Sequence, residues 1–297
     1  MLLRPCLAAA VLAALSSPAA ADPPRTVADI APVHSLAARV MEGVGEPALL
    51  IPPGASPHEH ALRPSEAAAL QSAELVLRVG DALTPGLGAR IATLSEARVL
   101  ILADAPGTDA LPLREDHDDD HEHGHEGAVD PHLWLDPANA AAWTDAIAAA
   151  LAEADPGNAE RYAANAAAAR GELAALAEEV AATLAPVRGR PVIVFHDAYR
   201  YFERAFGLDV AGAVALSDAA PPGPVRLAAI RDAARGSGAE CLFAEPQFDP
   251  GLAAVVAEGT GLTIATLDPL GAALEPGPGL YPALLRGLAE AAATCHD

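Results

Sequence analysis

The chain has 297 residues and a formal net charge of −22 at pH 7, with 40 carboxylates against 18 basic residues, every one of them Arg. So acidic a surface repels nucleic acid and anionic lipid and attracts cations, which argues against a nucleic-acid partner and for a cationic ligand. The length suits two domains of ordinary size.

The first 21 residues carry one Arg, an apolar run from Leu7 to Leu15 and small residues up to Ala21, the layout of a secretory signal peptide. That run is too short to span a bilayer and no later stretch reaches the needed length, so a soluble, exported protein is expected. Cys6 precedes the apolar run and so is not the lipid-modified cysteine of a lipoprotein signal. Cys241 and Cys295 remain after export, an even pair in an oxidising compartment, which predicts a disulfide.

From Asp22 onward short apolar runs alternate with helix-like segments, the pattern of an α/β fold with parallel sheets. Residues 22–136 form the predicted first lobe, with strands near 26–31, 48–52, 74–80 and 98–104, a helix through Leu36, Val40 and Met41, and another starting near Pro64. Between the second strand and that helix lies the turn-rich PGASPHEHALRP, which carries His58. An acidic insertion follows at 114–127, where His117, His121, His123 and His125 alternate with Asp and Glu and nothing apolar holds a fold together. Imidazoles and carboxylates at this density predict a low-affinity metal-collecting loop. In the next stretch, DPHLWLDP (130–137), His132 sits between two Asp-Pro pairs that fix the backbone, while Leu133, Trp134 and Leu135 supply apolar anchors.

Residues 137–187 read as helix, with Asp136-Pro137 and Asp155-Pro156 each placing an N-cap before a first-turn proline. Leu173, Leu176, Val180 and Leu184 recur at helical spacing, so the second helix, from about Pro156 to Leu184, is expected to be roughly 40 Å long. A strut of that length resists hinge bending between two lobes. The pattern then repeats in the last lobe, 188–297, with strands at 191–199, 209–216, 241–248 and 262–271 and helices between and after them. The fold expected is two Rossmann-like lobes, each with a four-stranded, mainly parallel sheet, joined by one long backbone helix.

In parallel α/β folds ligands bind at the carboxyl ends of strands. His58, His132, His196 and Asp268 all fall on such loops, two from each lobe. Three imidazoles with a carboxylate or water as the fourth donor suit Zn²⁺, whereas more carboxylate and fewer imidazoles would favour Mn²⁺. Glu59, Asp130 and Asp197 are candidates to receive the second N–H of the ligand imidazoles, and His60 is an alternative donor.

SPHEHALRPSEAAALQSAELVLRVG (56–80), DPHLWLDP (130–137), FHDAYRYFE (195–203), FAEPQF (243–248) and LDPLG (267–271) occur in that order along the chain. Together with the His-rich insertion before DPHLW, they resemble the ZnuA-type periplasmic zinc-binding proteins, solute-binding proteins of metal ABC transporters. The resemblance spans essentially the whole exported chain. It implies one Zn²⁺ in the cleft between the lobes, delivery to a membrane permease, His58, His132 and His196 as ligands, and Asp268 as the weaker fourth partner. It also places Cys241 and Cys295 where zinc-binding members have their disulfide, and implies a periplasmic monomer that touches the membrane only through the permease. Two positions depart from the family pattern. Residue 57 is Pro where some members carry Glu, and residue 60 is His where an aromatic residue is common. Two other functions share the same donor set: a zinc-dependent hydrolase, against which stands the lack of an HExxH motif, and a periplasmic zinc buffer without a permease.

Overall fold

The computed structural model describes residues 22–114, 128–215 and 223–295; the predicted signal peptide and the four insertion histidines lie outside these ranges. The first lobe is a four-stranded sheet of β1 (Thr26–Ala28), β2 (Ala48–Leu49), β3 (Leu75–Arg78) and β4 (Arg98–Ile101) in the order β2-β1-β3-β4. All pairings are parallel, with Val27 opposite both Ala48 and Val76. Every residue of β3 is buried, as expected of a strand covered on both faces. Helices α1 (Ala31–Val40), α2 (Pro64–Ser72) and α3 (Leu87–Leu94) connect the strands. Sequence periodicity does not announce α3, because it is only two turns long and buries just Leu87 and Ile91. All four predicted strands are shorter than expected. β2 has two residues, although the Leu50 and Ile51 amides still bond to the Ala28 and Asp29 carbonyls, and β4 gives way at Leu102 to a 3-10 turn.

Two helices follow, α4 (Pro137–Ala154) and α5 (Ala159–Leu184). Asp136 caps α4 as predicted, its carboxylate accepting from the Ala138 amide at 2.8 Å. Asp155 does not cap α5. A 3-10 turn at Pro156–Asn158 intervenes, and the Asp155 carboxylate accepts instead from Asn158 Nδ2 and the Tyr162 hydroxyl. With 26 residues α5 is about 39 Å long. Its buried stripe of Tyr162, Ala166, Ala169, Leu173, Leu176, Val180 and Leu184 follows the helical period. Each fully buried Leu or Val there contributes about 1.5–3 kcal/mol of apolar transfer.

The second lobe repeats the first. Strands β5 (Pro191–His196), β6 (Asp209–Ala215), β7 (Cys241–Ala244) and β8 (Thr263–Thr266) run parallel in the order β6-β5-β7-β8. Helices α6 (Arg200–Phe206), α7 (Pro224–Ser237) and α8 (Pro250–Ala257) cross between them, and α9 (Leu280–Thr294) closes the chain. Gly207 ends α6 in the left-handed region, at φ 78°, where a Cβ would be strained. Cys241, at the start of β7, is disulfide-bonded to Cys295 beyond α9, with Cα atoms 6.1 Å apart.

The long helix joins the lobes by sharing one core with both. Leu36 of α1, Leu176 of α5 and Leu284 and Leu288 of α9 belong to a single cluster of buried residues. At its edges Arg39 of α1 pairs with Glu172, and Arg286 of α9 pairs with Glu179, both acids standing on α5. The Ser35 hydroxyl of α1 donates to the Pro278 carbonyl and accepts from the Tyr281 amide, so the last helix is fastened directly to the first. Hinge opening would have to split this core, which a closely packed interior resists.

Candidate metal centre

His58, His132 and His196 converge. One ring nitrogen from each lies within 4.8 Å of the others, and the ring centroids are 5.4 Å (His58 to His132), 5.5 Å (His58 to His196) and 4.9 Å (His132 to His196) apart. His58 comes from the loop between β2 and α2, where its amide donates to the Ser56 hydroxyl. Burial first, and then the neighbouring imidazoles, push His58 down to about 2. It is therefore neutral at pH 7, with a lone pair ready for a cation.

His132 opens the 3-10 turn Leu133–Leu135. Both its amide and its Nδ1–H donate to Asp130 Oδ1, each at 2.9 Å. An ionised carboxylate only accepts, so Nδ1 carries the proton of this contact, and in the neutral ring Nε2 carries the lone pair. Nε2 is buried and has no hydrogen-bond partner. That is the polarity a metal ligand needs, and the Asp130 contact is the usual outer support of a ligating imidazole. Asp130→Ala should lower metal affinity about 10–100-fold without disturbing either sheet, as measured by chelator competition and circular dichroism.

The turn that carries His132 is held from the second lobe. Trp134 Nε1 donates to the Pro269 carbonyl at 2.7 Å, the Tyr281 hydroxyl donates to the Trp134 carbonyl, and the Tyr201 hydroxyl donates to the Asp130 carbonyl. The base of the His-rich insertion is anchored there too: Pro112 bridges Val129, and Arg114 pairs with Asp197 and Glu203.

His196 is the last residue of β5, at the switch point where β6 and β7 flank that strand on opposite sides. Glu245, following β7, places Oε2 3.5 Å from His196 Nδ1, and its Oε1 accepts from the Tyr199 hydroxyl at 3.2 Å. Glu245 is 5% exposed and went unassigned in the sequence. Its only sequence signal is a pair of polar residues, Glu245 and Gln247, at the carboxyl end of an apolar strand.

Asp268 does not join the three imidazoles. Its Oδ1 accepts from the Leu270 and Gly271 amides and its Oδ2 from the Ala272 amide at 2.6 Å, so both oxygens are engaged by the turn that follows β8. His60 turns away as well, its Nε2 2.8 Å from Glu66. Of the three acids expected to support the ligands, Asp130 does so, Asp197 pairs with Arg114, and Glu59 is exposed.

Pro57, Trp134, Glu245, Gln247, Pro269 and Leu270 complete a cavity of about 10 Å³ around the imidazoles. That is room for one water-sized particle and far below the several hundred Å³ of an organic-ligand site. Fold and site together define a two-lobed α/β binding protein with an ion-sized site between its lobes.

The comparisons with known proteins point the same way. Residues 26–295 match the family model described as zinc-uptake complex component A, periplasmic, and the chain belongs to this family. It is 42% identical over 321 aligned positions to the high-affinity zinc uptake system protein ZnuA of Paracoccus denitrificans (strain Pd 1222), covering 97% of this chain and 96% of the relative. To the protein of the same name from Brucella abortus (strain 2308) it is 40% identical, covering 97% of each chain. A crystal structure of a ZnuA deletion mutant with zinc bound superposes with a TM-score of 0.77 at 25% identity, covering 92% of this chain and 98% of that one.

Proposed function

We infer that this protein captures Zn²⁺ between its lobes in the periplasm and delivers it to the membrane permease of an ABC-type zinc importer. The observation that carries this is the convergence of three buried or half-buried imidazoles on an ion-sized cavity. Neutral nitrogen donors select a borderline cation such as Zn²⁺ over the hard, oxygen-preferring ions. His58, His132 and His196 are the ligands. The relatives named as high-affinity zinc uptake proteins support the same cargo, and the protein is a binding component and not an enzyme. Among the described residues no helix is long and apolar enough to cross a membrane. The proposed protein is a periplasmic monomer that meets the membrane only at the permease. The four insertion histidines, by composition, collect zinc at low affinity. Because the lobes share a core, release proceeds by movement of the ligand loops or by competition from the permease, not by wide opening of the cleft.

The test is zinc uptake in a strain that lacks the gene. Abolished high-affinity uptake, restored by the intact gene, supports delivery to a permease. Normal uptake with a smaller periplasmic zinc store would make the protein a buffer instead.

A further inference from the structure

Three imidazoles leave a Zn²⁺ ion short of the four donors it usually takes. Of the polar side chains around the cavity, Glu245 faces the outer nitrogen of His196 and accepts from Tyr199. Asp268, on the neighbouring loop, is bonded to three backbone amides. Gln247 differs from both. Its side chain lines the same cavity as the three imidazoles, and its Oε1 and Nε2 are both buried without a hydrogen-bond partner. A primary amide offers two donors and an acceptor, and burying all of them unmet is among the costlier things a folded chain can do. Such orphaned groups in a small polar cavity are satisfied by a ligand or an ordered water.

We propose that Gln247 positions a water molecule as the fourth ligand of the bound metal, its side-chain amide hydrogen-bonding that water. Gln247 is thus a positioning residue that sets how tightly the site holds its cargo. This deepens the zinc reading above and rests on it. The chemistry is consistent at each point. A metal-bound water is a strong hydrogen-bond donor, and the buried amide oxygen of Gln247, on the lining of the same cavity, is an acceptor with nothing else to accept from. A neutral amide also leaves the donor set free of a further carboxylate, which keeps the preference with zinc over manganese.

Two variants of the full exported chain test this. Gln247→Met keeps the side-chain length and removes the amide; Gln247→Glu keeps an acceptor and adds a charge that enters the coordination shell itself. Zinc affinity is measured by chelator competition, thermal unfolding is followed without metal, and the Co²⁺-loaded proteins are studied by electron paramagnetic resonance in water enriched in the magnetic oxygen isotope. The wild type should show isotope broadening from a coordinated water. Gln247→Met should lose about tenfold or more in zinc affinity, in the range seen for outer-shell partners, with weakened broadening and metal-free stability equal to or above wild type. Gln247→Glu should bind zinc at least as tightly as Gln247→Met, without broadening, because the carboxylate takes the water's place. Two results would overturn the role of Gln247: a wild-type spectrum with no coordinated water, or Gln247→Met matching wild type in affinity and spectrum. A wild type that fails to bind zinc tightly overturns the zinc assignment itself, so the two failures are separable.

Discussion

His196→Ala should lower zinc affinity by more than about a hundredfold while leaving both sheets intact. The bound derives from comparison. Losing an outer-shell partner of a metal ligand costs about 10–100-fold, and removing the ligand itself must cost more. His196 is the sole imidazole contributed by the second lobe, since His58 and His132 stand on loops of the first. Without it the cation keeps two nitrogen donors on one side of the cleft and loses the direct one from the other. His196 pairs with Ala215 of β6 through its backbone, which the truncation leaves in place, so no ladder hydrogen bond is removed. Chelator competition reads the affinity and far-ultraviolet circular dichroism reads the fold. Unchanged affinity would remove His196 from the ligand set.

Trp134→Ala should be the most damaging single change to stability, at about 3–5 kcal/mol, the usual cost of emptying a large aromatic site in a packed core. Trp134 is 1% exposed, its ring nitrogen donates to the Pro269 carbonyl of the second lobe, and its own carbonyl accepts from Tyr281 of α9. It also stands two residues from His132, with ring centroids 5.4 Å apart. The substitution therefore opens a cavity at the joint between the lobes and loosens a ligand. Urea unfolding of the metal-free protein should show the full loss, and zinc affinity should fall as well. A variant with wild-type unfolding midpoint would mean that the two lobes are not held together here.

Much of this architecture is legible in the sequence because it is written in local patterns. Apolar runs such as Pro191–His196 and Cys241–Ala244 are strands, and the stripe from Tyr162 to Leu184 is one helix face. The three imidazoles are legible for the same reason: His196 ends an apolar run, His58 lies on the loop that follows one, and His132 sits between fixed prolines. What escapes is non-local. Asp197 is next to His196 in the chain, but adjacent residues at a strand end point to opposite sides, and its carboxylate goes to Arg114. The acid that does stand behind His196 is Glu245, brought there by the β5–β7 pairing and invisible to any reading of neighbours. Asp268 falls on a loop, and the three backbone amides of the following turn that bond its carboxylate are not revealed by spacing alone. The Asp155 cap fails for a similar reason, since the Tyr162 hydroxyl, 7 residues on, claims the carboxylate.

The most direct test of the zinc site is a competitive chelator titration of the metal-stripped, exported protein with Zn²⁺ and again with Mn²⁺, recording stoichiometry and affinity together. The account predicts one tight zinc site, weaker additional zinc binding that disappears when residues 115–127 are deleted, and poor binding of Mn²⁺. Only weak zinc binding, or a preference for Mn²⁺, would contradict it, because the three converging imidazoles would then not be forming the site that their geometry describes.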